Sequence, residues 1–272
     1  MVAPHRVQSG GMHGLSSLGT VHLTLAKDAL LVLAGLGAGI FNGVAGGGTL
    51  ISFPVLLALG FPALSANVTS TVGIWPGYLG GVAGFHVEIG DQRARIRSLA
   101  PVAIVGAVGG ATLLLLTSPE DFARLAPWLV LGAAVLFAVQ PLLVRLLSHV
   151  AEDHPTRRLL LFGGTLAASV YGGYFGAGMG VVLLAVLGLA LPDTLLRTSG
   201  MRTILSVLVN GVAAIVFMIH FSLVWVAVAM LGLGSLVGGW IGARVAVSLP
   251  AGVLRLVVVA IAVATALRLL VG

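Results

Sequence analysis

The chain has 272 residues, of which 8% are charged and 58% hydrophobic, with a mean hydropathy of +1.14. A soluble domain carries roughly 25% charged residues, so this content cannot cover a globular surface and excludes a water-soluble fold. The formal charge of +6 lies mostly in arginines near the ends of apolar stretches, where it orients spans by the positive-inside rule, and the lack of cysteine excludes disulfides and thiolate metal sites.

Residues 1–27 form a polar leader with Arg6, Lys27, His5, His13 and His22. It lacks the continuous apolar core of a signal peptide and reads as a mobile tail. Apolar segments follow at about 29–60, 66–86, 99–117, 125–147, 158–191, 198–219, 222–243 and 252–271. Most approach the ~20 residues that cross a bilayer. Segments one and five are too long for one upright helix. Each contains a glycine cluster: Gly43-Val44-Ala45-Gly46-Gly47-Gly48 in the first and Gly172-Gly173-Tyr174-Phe175-Gly176-Ala177-Gly178-Met179-Gly180 in the fifth. Hydrocarbon tolerates such breaks only where protein or a water-filled cavity satisfies the backbone. Each is therefore expected to be two half-helices joined by irregular backbone, the later pieces (about 49–60 and 179–191) too short to cross alone.

The halves align with a shift of 130 positions: Gly43 falls on Gly173, Gly46 on Gly176, Gly48 on Gly178, Leu57 on Leu187 and Pro62 on Pro192. The expected fold is an all-α, polytopic transmembrane bundle of about eight segments. It comprises a tail (1–27) and two four-segment repeats (28–147 and 148–272). If segments one and five cross, the repeats are parallel. If both are re-entrant, each repeat has three crossings and the repeats are inverted. Loop arginine and lysine counts differ too little to choose, and alternating access favours inversion.

The first repeat resembles the sulfite exporter TauE/SafE family of membrane transporters. The resemblance rests on the glycine run Gly43 to Gly48, then Thr49-Leu50-Ile51-Ser52-Phe53-Pro54, Leu59-Gly60 and Ala66-Asn67-Val68-Thr69-Ser70. Phe175 to Gly180 and the later Asn210 look like the family's C-terminal half, so the resemblance covers roughly residues 29–271. It implies transport of small sulfur-containing anions such as sulfite or organosulfonates. Leu184 replaces the proline that matches Pro54, and Thr69-Ser70 becomes Ser199-Gly200, so the repeats are not expected to contribute equally to a site.

Polar residues within the segments are few. Asn67, Ser70, Thr71 and Tyr78 share one helical face in segment two, and Arg202, Ser206 and Asn210 share one in segment six. A buried arginine needs a cavity or a partner, and its planar fork matches an oxyanion. At the membrane edge it would instead snorkel as an anchor. The polar amides and hydroxyls otherwise serve as interhelical hydrogen-bonding groups. Backbone amides at the half-helix N-termini favour an anion. The candidate substrate-binding set is therefore Gly46, Gly47, Gly48, Thr49, Asn67, Ser70, Thr71, Gly176, Gly178, Met179, Arg202, Ser206 and Asn210. His86, Glu88, Asp91 and His220 read as loop residues.

These readings favour a secondary transporter of a small anion in the cell inner membrane. An anion channel would use the same lining, and an intramembrane enzyme lacks a visible nucleophile–base pair. The expected partners are the anionic substrate and the lipid bilayer, with no nucleic acid, no cofactor and no metal. A homodimer stays open.

Overall fold

The computed structural model describes residues 25–147, 155–191, 193–245 and 251–271. Most of the leader and Pro192, the counterpart of Pro62, lie outside the described residues. Eleven helices run in order: α1 (Leu25–Val44), α2 (Thr49–Ala58), α3 (Ala63–Gly84), α4 (His86–Ile89), α5 (Arg93–Leu115), α6 (Pro119–Leu147), α7 (Pro155–Tyr174), α8 (Met179–Ala190), α9 (Leu195–His220), α10 (Trp225–Val245) and α11 (Ala251–Val271). Among the described residues, five helices are long and apolar enough to cross a membrane: Leu25–Val44, Arg93–Leu115, Pro119–Val139, Leu195–His220 and Trp225–Val245.

The glycine breaks fall where the sequence puts them, but they do not make pairs of half-helices. α1 and α7 have 20 residues each, about 30 Å of helix at 1.5 Å per residue, whereas α2 and α8 have 10 and 12. Only the later piece of each segment is short. The reason is local: no left-handed residue interrupts 25–44 or 155–174, and the first ones come at Gly46 and Gly176. These two aligned glycines both hold left-handed φ, +83° and +80°, a region that a side chain would disfavour. Both turns reuse one carbonyl twice. Ala45 and Gly46 donate to Phe41 O, and Phe175 and Gly176 donate to Tyr171 O.

After each turn the chain folds back on itself. α2 returns along α1, with Gly48 against Ala38 and Asn42 and then Ile51 against Gly37. α8 returns along α7, with Met179 against Gly172 and then Val186 against Gly164. The segments are thus helical hairpins.

Helix directions follow from glycine contacts. Gly35, Gly39 and Gly43 of α1 meet Leu231, Ser235 and Gly242 of α10 in rising order. Gly73, Gly77 and Gly84 of α3 meet Leu231, Ser235 and Ala243. α1, α3 and α10 therefore run parallel. Close backbone approach at such small-residue stripes is how membrane helices pack without a hydrophobic driving force, and Ser235 Oγ adds a bond to Gly73 O at 3.2 Å. α5 and α7 are parallel to each other, with Gly106 on Leu166 and Gly110 on Val170. α9 runs against α3, with Thr203 on Gly81 and Gly211 on Trp75. α3 is enclosed on all sides: every residue from 66 to 74 is buried.

Candidate functional site

The hairpin tips touch. Gly180 N–H donates to Gly46 O at 3.2 Å, a backbone bond between the two breaks. A methyl group on Gly180 would lie 2.5 Å from Gly46 Cα.

Arg202 reaches this contact from α9. It is 1% exposed, so it does not snorkel at a membrane edge. Its Nη2 donates to Asn42 O at 3.0 Å and Gly43 O at 2.9 Å. These are carbonyls of the last turn of α1, which the helix itself leaves unbonded. The guanidinium therefore caps α1 and sits at the negative end of its dipole. Its Nη1 is buried with no partner. A methyl on Gly46 would sit 2.6 Å from that nitrogen.

Asn42 completes the turn. Its Oδ1 accepts from Gly48 N–H at 2.7 Å, which leaves its buried Nδ2 unpartnered. The Tyr78 hydroxyl lies among the side chains of Asn42, Asn210 and Arg202. Asn210 Nδ2 donates to Ser206 O at 3.1 Å, and Asn210 Oδ1 has no partner. A methyl on Gly176 would be 3.6 Å from Asn210 Oδ1 and 3.8 Å from Thr49 Oγ1. Arg202, Asn210, Gly46, Gly176 and Thr49 thus gather around the hairpin contact, together with Asn42 and Tyr78.

Other candidates sit elsewhere. Gly47 packs against Phe137 and Phe41, and Gly178 against Ala133, so both contact α6. Met179 is fully buried against Gly172 in an apolar cluster with Leu183 and Leu205. Ser70 pairs with Ser52, Oγ to Oγ at 2.6 Å. Asn67 Nδ2 donates to Tyr174 O at 3.1 Å and keeps an unpartnered Oδ1. The Gly48 amide is already taken by Asn42. Thr71 and Ser206 are buried at 2% exposure. Asn42 lies outside the set expected from the sequence. Its signal is visible in retrospect: it is the lone side-chain amide in α1, four positions before the left-handed glycine.

At one end of the bundle the α4–α5 linker meets the start of α9. Arg197 bonds both Asp91 and Asp193 at 2.7 Å, Arg95 bonds Asp193 at 2.7 Å, and Gln92 Nε2 donates to Arg197 O at 2.8 Å. Asp91, read from sequence as a loop acid, is therefore part of an ion network. The Arg197 bond holds its carboxyl below the ordinary range. Burial pushes Asp193 upward, but the Thr194 amide and the two guanidinium groups outweigh it, and its carboxyl too is held low.

An apolar helical bundle with glycine-tipped hairpins and a buried polar centre is the architecture of a polytopic membrane protein. Residues 31–269 match the family described as Sulfite exporter TauE/SafE, and the chain belongs to that family. It is similar to the probable membrane transporter protein ORF9 of Sinorhizobium sp, with 27% identity over 254 residues, covering 89% of this chain and 92% of that protein. A probable membrane transporter protein of Haemophilus influenzae is 26% identical over 226 residues, covering 79% and 84%. The probable membrane transporter protein YfcA of Escherichia coli K12 is 22% identical over 243 residues, covering 86% of each chain.

Proposed function

We propose that the protein is a secondary transporter of a small anion, sulfite or an organosulfonate, working by alternating access between two inverted repeats (28–147 and 148–272) in the cell inner membrane. The observation that carries the reading is Arg202. It is a fully buried guanidinium at the contact of the two hairpin tips, with Nη1 unpartnered. A fixed cation with free N–H groups offsets the desolvation of an oxyanion.

The packing supports the inverted repeats. Exchanging α1 with α7, α2 with α8, α3 with α9, α5 with α10 and α6 with α11 exchanges the major contacts. α1 packs on α10 as α7 packs on α5, and α10 packs on α3 as α5 packs on α9, while α3–α9 and α6–α11 map onto themselves. With α1 parallel to α3, and α7 entering from the end where α9 begins, the hairpins come from opposite ends. Both would be re-entrant, with three crossings per repeat. Binding where broken helices meet between inverted repeats is a recurrent transporter design.

The test is uptake of labelled sulfite, a sulfonate and a carboxylate into proteoliposomes, with and without a pH gradient, by the wild type and Arg202→Gln. Saturable uptake of sulfite or the sulfonate that Arg202→Gln loses supports the reading. Unitary conductance in a planar bilayer would replace it with an anion channel.

A further inference from the structure

Arg202 is the only Asp, Glu, Lys, Arg or His among the buried described residues. Arg202 makes no ion pair with a carboxylate among the described residues. Its charge is met only by the carbonyls of Asn42 and Gly43 and the dipole end of α1.

Two donors are unspent, and both front the first break. Arg202 Nη1 lies 2.6 Å from where a methyl on Gly46 would stand, and Asn42 Nδ2 lies 2.7 Å from where one on Gly48 would stand. The orientation of the Asn42 amide is fixed, because only an oxygen can accept the Gly48 N–H. Its NH2 group must therefore point away from that bond, toward the Tyr78 hydroxyl, with which it makes no close hydrogen bond. The third unpartnered atom nearby, Asn210 Oδ1, is an acceptor, as is the phenolic oxygen lone pair of Tyr78. The cluster supplies one full positive charge, a small set of donors, and oxygen atoms that repel further negative charge.

We propose that Arg202 and Asn42 together hold the substrate as a singly charged oxyanion, and that the site rejects doubly charged oxyanions of the same shape. The inference rests on the anion-transport reading above and adds to it the charge state and the Asn42 contact. One negative charge against Arg202 makes a neutral buried pair with its donors satisfied. A second would stay buried and uncompensated, the condition that makes removing one member of an ion pair so costly. Asn42 acts by supplying N–H groups to the same oxyanion that Arg202 Nη1 bonds.

The experiment measures binding to the purified full chain in nanodiscs, by calorimetry and by ligand-induced shift of Tm, with three compounds of similar size. Dimethyl sulfone is neutral, methanesulfonate carries one negative charge and sulfate two. Methanesulfonate is expected to bind at least about 100-fold more tightly than either of the others. A matched variant, Asn42→Asp, keeps the oxygen that accepts Gly48 N–H. It replaces the free NH2 with a carboxylate oxygen at the same break that Arg202 Nη1 faces. The guanidinium then has an internal partner, so methanesulfonate affinity should fall at least about 100-fold with no loss of Tm. Sulfate binding as tightly as methanesulfonate overturns the charge inference and leaves anion transport standing. Wild-type affinity in Asn42→Asp removes Asn42 from the site. If that variant does not fold, the wild-type series still decides the charge question. Binding of no anion above dimethyl sulfone overturns both this inference and the transport reading beneath it.

Discussion

Replacing Gly180 with alanine adds one methyl group at the contact between the two hairpins. The new carbon would stand 2.5 Å from Gly46 Cα, 2.6 Å from Gly46 O and 3.0 Å from Gly46 C. Carbon–carbon contacts relax at about 3.5–4.0 Å, so the tips must part by about 1 Å. All the opposing atoms are backbone, so no side-chain rotation relieves the clash. Overpacking of this kind costs about 1–3 kcal/mol. The 3.2 Å bond from Gly180 N to Gly46 O is lost with it, about 0.5–1.5 kcal/mol more. The expected destabilisation is about 2–4 kcal/mol, less the helix propensity gained by alanine, about 1 kcal/mol. Gly188, in the same helix, is the control. It is exposed, and a methyl there meets nothing within 4 Å, so Gly188→Ala should hold or raise Tm. The assay is thermal unfolding of purified protein together with uptake per folded molecule. Gly180→Ala with the Tm and uptake of Gly188→Ala would refute the contact between the breaks.

Four further outcomes follow from the same geometry. Arg202→Lys should keep part of the uptake with raised half-saturation, because the charge stays and the fork that caps α1 is lost, while Arg202→Gln should lose more; unchanged half-saturation in Arg202→Gln removes the residue from the site. Gly47→Val should reduce the amount of folded protein as well as uptake, since its first side-chain carbon already stands 2.8 Å from the Phe137 ring; normal yield and uptake would count against that packing. Ser70→Ala strands Ser52 Oγ on a single 3.4 Å bond to Gly48 O, so Tm should fall by the equivalent of about 1 kcal/mol, readable by thermal unfolding. The carboxyls of Asp91 and Asp193 are held low. A folded pKa below the unfolded one contributes stability above the unfolded pKa, which is lost as pH falls through the folded value. Tm should therefore drop on acidification through and below the ordinary carboxylate range, and a Tm–pH curve for Asp193→Asn should be flatter there; parallel curves would contradict the role of the network.

The class, the approximate helix positions and the places where the chain breaks are legible in the sequence. These properties are local or compositional. Eight percent charge excludes a soluble surface, continuous apolar runs set the helices, and glycine is needed where φ turns positive at Gly46 and Gly176. The glycine motifs also carried the family, which the match over residues 31–269 establishes. The shared face of Arg202, Ser206 and Asn210 was legible for the same reason, since helical periodicity fixes it. The face assigned to Asn67, Ser70, Thr71 and Tyr78 carried less, because α3 is surrounded and buries residues on every side. Packing of distant helices sets the rest: α2 and α8 fold back, the two tips share a backbone bond, and Arg202 caps α1 rather than a membrane edge. It alone separated Gly46 and Gly176, which face the polar cluster, from Gly47 and Gly178, which face α6. It also brought in Asn42, 160 positions from Arg202. Side-chain partners that far apart in the chain leave no periodic trace. They are set by which helices pack together and in which direction, and many arrangements of equally apolar helices share the same one-dimensional pattern.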